Sequence, residues 1–421
     1  MIFNRSILSF LTLVATTTLF ANDSIPSAED LVGSGWVDQQ IETPESVNTN
    51  LDSLLRAWHF KTYRKTTYNG TCDSVNPVVP DSVIIHRLAS IPAVIPMTYN
   101  SVVKQFIDMY GGRKRSQVEV MLGLSDYYFP YFIRALERHQ LPLELRYLPI
   151  VESALNPNAV SRAGATGLWQ FMYGTGKIYG LDINTLIDER RDPIASSEAA
   201  ARYLKDLYQI FGDWHLAIAA YNCGPGNVNK AIRRAGGKRN YWDIYYYLPS
   251  ETRGYVPLFI AANYIMRYHK EHRICPIQMD LTSMHDTMII QQKMHFEQIS
   301  TLVGVSMEEL KSMNPQYRQN IIPGSQEKPL VLCLPAEYSM TFVDFQDSIP
   351  NYRAQELLYA DMKAGPSIGS SGANGYIVYK VRKGDTLSRI AQRHRVSVSK
   401  LKNWNNIHTS RIYPGQRLKI Y

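Results

Sequence analysis

The stretch Leu148–Phe171, with the sequence LPIVESALNPNAVSRAGATGLWQF, is the most informative part of this chain of 421 residues. A short helix is predicted from Leu143 to Glu152, because its apolar residues share one face and Asn156-Pro157 then ends it. Glu152 is therefore expected at the end of a helix, beside a loop that contains glycines. Such a glutamate is usually a solvated or capping residue, so the surrounding motifs must decide its role.

Two further polar motifs follow, AYNCGPG at residues 220–226 and ETRGYV at residues 251–256. Apolar residues recur at three-to-four spacing, and Asp192 before Pro193 is typical of a helix N-cap with proline in the first turn. No strand alternation intervenes, so an all-α domain is predicted over residues 85–272. The predicted helices cover residues 99–110, 117–139, 143–152, 192–211, 215–221 and 255–268.

In their order, these motifs resemble the family 1 lytic murein transglycosylases, and among them the membrane-bound lytic murein transglycosylase D type. The resemblance implies a lysozyme-like fold and cleavage of peptidoglycan between N-acetylmuramic acid and N-acetylglucosamine. It implies that one glutamate, here Glu152, acts alone as acid and base. That residue protonates the leaving oxygen and then takes the proton of the sugar's own C6 hydroxyl, which closes a 1,6-anhydro ring without water. An apolar surround is expected to keep Glu152 protonated near neutral pH.

The same resemblance implies which residues bind the substrate. Ser161 and Gln170 are expected to hydrogen-bond N-acetyl or hydroxyl groups of the sugars. Tyr221 and Asn222 are expected to face the glycan, and Tyr255 is expected to lie close to the acid.

Two alternative functions remain open at this point. A goose-type lysozyme-like hydrolase would share the fold but use water, with Glu251 as a possible second carboxylate, although an orienting or structural role is favoured for that residue. A non-catalytic wall-binding scaffold would keep the shape alone, and the intact motifs around Glu152 argue against it. No Cys/His cluster has metal-ligand spacing, so neither a metal nor a cofactor is expected.

The C-terminal residues 375–421 carry YKVRKGDTLSRIA at 379–391 and PGQRL at 414–418, which resemble a LysM module. In LysM modules, loops of a βααβ fold form a groove for chains that contain N-acetylglucosamine. Residues 275–336 show the same order of predicted elements and resemble a degenerate LysM module without the Gly-Asp-Thr loop. The chain is therefore predicted to be an α+β multidomain protein. The resemblance places the glycan-binding positions at Gly384, Asp385, Thr386, Leu387 and Ile412.

Two segments and the cysteines complete the predicted organisation. Residues 22–84 are interpreted as a polar lead-in and residues 340–374 as a flexible linker, from their composition. Cys275 and Cys333 lie at the two ends of the degenerate module, whose strands should lie side by side, so a disulfide between them is predicted. Cys72 and Cys223 have no obvious partner.

Residues 1–21 are typical of a secretory signal, and the protein is expected to be exported to a periplasm, cell envelope or beyond. The apolar run is short, so no transmembrane segment is expected after signal cleavage. The net charge of +8 arises from residues 376–421, where eleven Lys/Arg accompany the single acid Asp385. This basic part could attract anionic wall polymer or a membrane surface; nucleic acid is not expected as a partner of an exported protein.

Overall fold

The computed structural model describes a helical domain, a middle module and a C-terminal module, each with its own buried hydrophobic core. The predicted signal peptide, residues 1–21, lies outside the described residues, as do residues 359–376. The described ranges are 41–48, 63–65, 72, 75–279, 285–358, 377–382, 385–394, 396–405, 407, 409, 411–413 and 415–420.

The helical domain confirms the predicted all-α class. Its described part contains only one pair of short strands, β1 (Tyr63–Lys65) and β2 (Ile277–Met279), and a few isolated bridges. The helices are α1 (Glu45–Asn48), α2 (Asp81–Ala89), α3 (Ser101–Gly111), α4 (Arg115–Arg138), α5 (Leu148–Ser153), α6 (Tyr173–Ile178), α7 (Pro193–Phe211), α8 (Trp214–Cys223), α9 (Pro225–Arg234), α10 (Tyr241–Ile244) and α11 (Ser250–Arg267).

Local sequence signals explain where several of these helices begin. The Asp192 carboxylate accepts hydrogen bonds from the first free backbone N–H groups of α7, and Pro193 occupies the first helical position, as predicted. Helix α11 begins at Ser250 rather than at the predicted Tyr255, so Glu251 and Tyr255 belong to one helix. No helix among the described residues is both long and apolar enough to cross a membrane.

The middle module confirms the predicted β-α-α-β order. Its outer strands, β3 (His285–Ile290) and β6 (Leu330–Pro335), pair antiparallel and enclose α12 (Phe296–Val303) and α13 (Met307–Met313). A second antiparallel pair joins β4 (Lys293–His295) to β5 (Ile321–Pro323).

The C-terminal module repeats this order on a smaller scale. Its strands β7 (Ile377–Lys380) and β8 (Arg417–Ile420) pair antiparallel around α15 (Leu387–Arg393) and α16 (Val398–Trp404). Among its described residues, seven buried side chains from Val381 to Ile420 form a hydrophobic core.

Parts of both segments predicted as connectors are folded, which corrects the prediction. Within 22–84, Val47 and Ile84 are buried in the core of the helical domain. Within 340–374, α14 (Ser339–Phe345) packs Phe342 into the core of the middle module, and Ile349 follows it there. Composition alone did not show that these scattered apolar side chains find partners elsewhere in the chain.

The middle module packs directly against the helical domain. Ile187 of the helical domain is buried in the core of the middle module. The backbone N–H of Asp188 donates to the Gln316 carbonyl at 2.9 Å, and the Arg318 N–H donates to the Leu186 carbonyl at 2.7 Å. These contacts hold residues 186–188 against the module.

The predicted disulfide between Cys275 and Cys333 is wrong. Cys275 is bonded to Cys72, with 5.8 Å between the two Cα atoms, and Cys333 is a free cysteine, as is Cys223. Strand pairing explains the difference, because β1 pairs with β2 and brings the N-terminal segment to Cys275. Cys333 instead lies on β6 opposite Thr287 of β3.

The bond closes a loop of 203 residues, so its loss should destabilise the folded protein. Replacing Cys72 and Cys275 together with serine is expected to lower the free energy of unfolding by about 2–5 kcal/mol, because the unfolded chain gains conformational freedom. Chemical denaturation measures this change, with Cys333→Ser as the matched control. Peptide mapping without reduction should recover the Cys72–Cys275 cross-link, and a Cys275–Cys333 peptide would contradict the structure.

Candidate active site

A large cleft of about 940 Å³ opens in the helical domain, and Glu152 lies in its wall. Residues 41–48, the loop after α5, the end of α8 and the start of α11 supply most of its polar side chains. The residues that line it are Ile41, Glu42, Thr43, Pro44, Glu45, Asn48, Glu152, Ser161, Arg162, Ala163, Ala165, Gln170, Phe171, Met172, Thr175, Tyr203, Tyr221, Asn222 and Glu251.

The end of helix α5 places Glu152 in the cleft. The chain leaves the helix through two left-handed residues, Ala154 with φ 50° and Leu155 with φ 61°, which turn it sharply. The Ser153 hydroxyl contacts the carbonyl of Pro149 in the helix at 3.0 Å and that of Leu168 in the following loop at 2.9 Å. The Ser153 hydroxyl thus connects helix α5, which carries Glu152, to the loop that follows it.

Tyr255 contacts the acid from the buried side. Its hydroxyl donates a hydrogen bond to Oε1 of Glu152, and Tyr255 itself is fully buried rather than part of the cleft lining. Burial raises the pKa of Glu152 to about 8; the Tyr255 hydrogen bond lowers it in part, and the charge of Glu251 raises it. Glu152 therefore holds a proton near neutral pH, as a general acid must.

The loop of residues 159–171 brings Ser161 and Gln170 to the cleft. The Ser161 hydroxyl accepts a hydrogen bond from the backbone N–H of Ala165 at 3.0 Å. The Gln170 side-chain nitrogen donates to the carbonyls of Gly167 at 2.8 Å and Ala159 at 3.2 Å. Because that nitrogen is used within the loop, a substrate contact by Gln170 would use its side-chain oxygen.

Tyr221 and Asn222, at the end of α8, reach the cleft from another side. The Tyr221 hydroxyl donates its proton to the Trp169 carbonyl of the loop at 2.7 Å. This hydroxyl could therefore act toward a substrate only as a hydrogen-bond acceptor. The Asn222 side-chain oxygen accepts from the Thr252 hydroxyl at 2.7 Å, so its amide nitrogen is the group that could donate to a substrate. Five of the predicted site residues thus line one cleft, and Glu251, exposed in the first turn of α11, joins them.

Sequence reasoning did not identify Arg190, which supports the cleft loop from behind. Its guanidinium donates to the carbonyls of Gly164 at 3.1 Å and Phe171 at 3.3 Å, and it pairs with Asp188 at 2.8 Å. Both partners of this ion pair are buried. At Gly167, φ is 89° and a Cβ would lie 1.7 Å from the Arg190 carbonyl oxygen, so only glycine fits there. The charged run at residues 188–192 was the available signal, but its burial is a tertiary effect.

The residues predicted to bind glycan in the C-terminal module have local structural partners. Asp385 accepts from the Tyr379 hydroxyl at 2.7 Å and from the Arg382 N–H at 2.8 Å. Thr386 caps α15, and Leu387 is buried in the core. Ile412 packs partly buried against the same core. Gly384 lies outside the described residues, and glycan binding here remains a prediction.

No cluster of three or more potential metal ligands occurs in the described part of the chain.

Three family models match parts of this chain that correspond to the helical domain and the two modules. A family model for the transglycosylase SLT domain matches residues 130–244, which include Glu152, Ser161, Gln170, Tyr221 and Asn222. A model for the LysM-like domain of lytic transglycosylase MltD matches residues 285–351, and the LysM domain model matches residues 379–420. These matches identify an SLT domain, an MltD-type LysM-like domain and a LysM domain in this chain. Glu251 and Tyr255 lie beyond the matched SLT region.

Two relatives match this chain over different lengths, and the chain spans less than two thirds of each of them. It is 33% identical over 312 residues to membrane-bound lytic murein transglycosylase D of Escherichia coli K12, covering 73% of this chain and 66% of the relative, just under two thirds. It is 35% identical over 123 residues to soluble lytic murein transglycosylase of the same strain, covering 28% of this chain and 19% of the relative. A crystal structure of the Escherichia coli 70 kDa soluble lytic transglycosylase matches at 25% identity with a TM-score of 0.31, covering 40% of this chain and 30% of that chain.

The raised pKa of Glu152 should be visible in the stability of the protein. Folding raises this pKa from 4.5 to about 8, so the native state holds the proton more tightly than the unfolded chain does. The resulting stabilisation is complete below the unfolded value and is lost as pH rises through about 8. Glu152→Gln cannot ionise, so its melting temperature should rise relative to that of the wild type over this pH interval. Thermal unfolding of both proteins at several pH values provides the measurement. If the melting temperatures of the two proteins changed in parallel with pH, the raised pKa of Glu152 would be contradicted.

Proposed function

We propose that this protein is a peptidoglycan lytic transglycosylase that cleaves between N-acetylmuramic acid and N-acetylglucosamine and leaves 1,6-anhydro ends. The observation that carries the proposal is the carboxyl group of Glu152, which lies in the wall of a large cleft and has its pKa raised to about 8. The names of the relatives, lytic murein transglycosylases D and the soluble type, support the same reaction.

In this mechanism, Glu152 acts first as acid and then as base. Its carboxylic proton passes to the glycosidic oxygen as the bond from that oxygen to C1 of the muramic acid breaks. The C6 hydroxyl of the same sugar attacks C1, and its proton passes to the Glu152 carboxylate, which restores the acid. The Tyr255 hydroxyl, which donates to Oε1, stabilises the carboxylate that forms between these two transfers.

A hydrolase that uses water is the second candidate. Glu251 lines the same cleft, and its charge contributes to the raised pKa of Glu152, so the two carboxyl groups lie close enough to interact. A water molecule activated by Glu251 would yield reducing ends instead of anhydro ends. The intramolecular reaction is favoured because Glu251 has a structural role available. It is exposed in the first turn of α11, where its negative charge interacts favourably with the helix dipole.

The LysM modules support action on an insoluble polymer. We propose that the C-terminal module binds glycan that contains N-acetylglucosamine and raises the local concentration of the cleft on peptidoglycan. An exported location, in a periplasm or envelope, is part of the proposal. The Cys72–Cys275 bond supports it, because such bonds persist in oxidising compartments.

Product analysis tests the reaction. Purified peptidoglycan is digested with the wild type, Glu152→Gln and Glu251→Gln, and the sugars are analysed by mass spectrometry. The wild type and Glu251→Gln should release products with 1,6-anhydro-N-acetylmuramic acid ends, whereas Glu152→Gln should lose at least about 10²–10⁴-fold in rate. Near-normal cleavage by Glu152→Gln would overturn the role of the acid. Reducing ends that vanish in Glu251→Gln would establish the hydrolase.

A further inference from the structure

The N-terminal residues 41–48, which we call the strap, form one wall of the Glu152 cleft. They lie far upstream of the residues matched by the SLT family model, 130–244. No sequence motif suggested that they approach the acid. The strap residues that line the cleft are Ile41, Glu42, Thr43, Pro44, Glu45 and Asn48.

Buried contacts hold the strap in place at its centre and at one end. Pro44 is buried, and Val47, which is 5% exposed, belongs to the core of the helical domain. Ile41 packs against Gly254 of α11, where a Cβ would lie 2.6 Å from its Cγ2 atom. Gly254 directly precedes Tyr255, so the strap rests on the turn of α11 that carries the hydrogen-bond partner of the acid.

A polar contact joins the strap to the loop of residues 159–171. The Glu45 carboxylate accepts a hydrogen bond from the backbone N–H of Arg162 at 3.1 Å and lies 3.6 Å from the Arg162 guanidinium. Arg162 follows Ser161 in the loop of residues 159–171, and both residues line the cleft. The strap therefore contacts both α11 and the loop of residues 159–171, the two elements that meet at Glu152.

The strap also adds polar and negatively charged groups to the cleft lining. Its side chains add two carboxylates, a hydroxyl and an amide, which are mainly hydrogen-bond acceptors. Among the charged residues that line the cleft, Arg162 is accompanied by four acids, of which Glu152 holds its proton near neutral pH. Such a surface favours hydroxyl, N–H and ammonium donors and disfavours anionic groups.

From the anchoring and the charge of the strap, we propose that it is part of the substrate-binding site. Glu42, which is exposed, and Asn48 bind hydroxyl, amide or ammonium groups of the strand, and the strap favours neutral or amine-bearing strands over those with anionic substituents. This inference rests on the proposed function, since it takes the glycan as the occupant of the cleft.

Hydrogen exchange of the full-length Glu152→Gln protein tests the contact without requiring turnover. Soluble peptidoglycan strands are the probe, and exchange is followed by mass spectrometry. Slower exchange in residues 41–48 together with residues 161–171 is expected. Slower exchange in 161–171 alone would overturn the strap as a binding wall and leave the proposed function intact. No protection anywhere in the cleft would overturn both.

A charge reversal tests the selectivity of the strap. Glu42→Lys should raise the KM for soluble amine-bearing strands about tenfold, because a charged hydrogen bond is lost and repulsion replaces it, while kcat stays within about twofold. Glu137→Lys is the matched control, because it makes the same charge change at an exposed position outside the cleft lining. Equal KM values for the two variants would overturn the selectivity. Measured melting temperatures should match in both variants.

Discussion

The central constraint on this structure is that one carboxyl group, that of Glu152, stays protonated although it lines a large open cleft. Withdrawal of Glu152 from water supplies the largest part of its raised pKa, and the Tyr255 hydrogen bond acts in the opposite direction. Two opposing effects therefore set the pKa of this carboxyl group. Burial favours the protonated acid, and the Tyr255 hydrogen bond favours the carboxylate. Helices α5 and α11 and the loop of residues 159–171 meet at this group.

Local patterns in the sequence predicted much of this arrangement. Asp192 before Pro193 marked a helix start, and Asn156-Pro157 marked the end of the helix that carries Glu152. The βααβ modules were recognisable because their strands and helices follow each other closely along the chain. The Cys72 bond, the strap and the role of Arg190 were not predicted, because each depends on contacts between residues far apart in sequence. Periodicity and capping signals contain no information on such contacts.

The cleft loop depends on the middle module as well as on its own residues. Arg190 holds two carbonyls of the loop and is itself paired with Asp188, whose backbone N–H bonds to the middle module. Ile187, next to Asp188, is buried in the core of that module. A module that resembles a glycan-binding domain therefore also acts as a structural support for the cleft loop, through two intervening residues, Asp188 and Arg190.

The covalent link between Cys72 and Cys275 also determines what happens when the polypeptide is nicked. The bond spans both the acid and its tyrosine partner along the chain. A protease cut in any surface loop between residues 153 and 250 would leave Glu152 on one fragment and Tyr255 on the other. Those fragments would stay joined as one molecule under oxidising conditions and would separate on a gel only after reduction. In a compartment rich in proteases, the bond thus keeps the two halves of the site in the same particle after the backbone is broken.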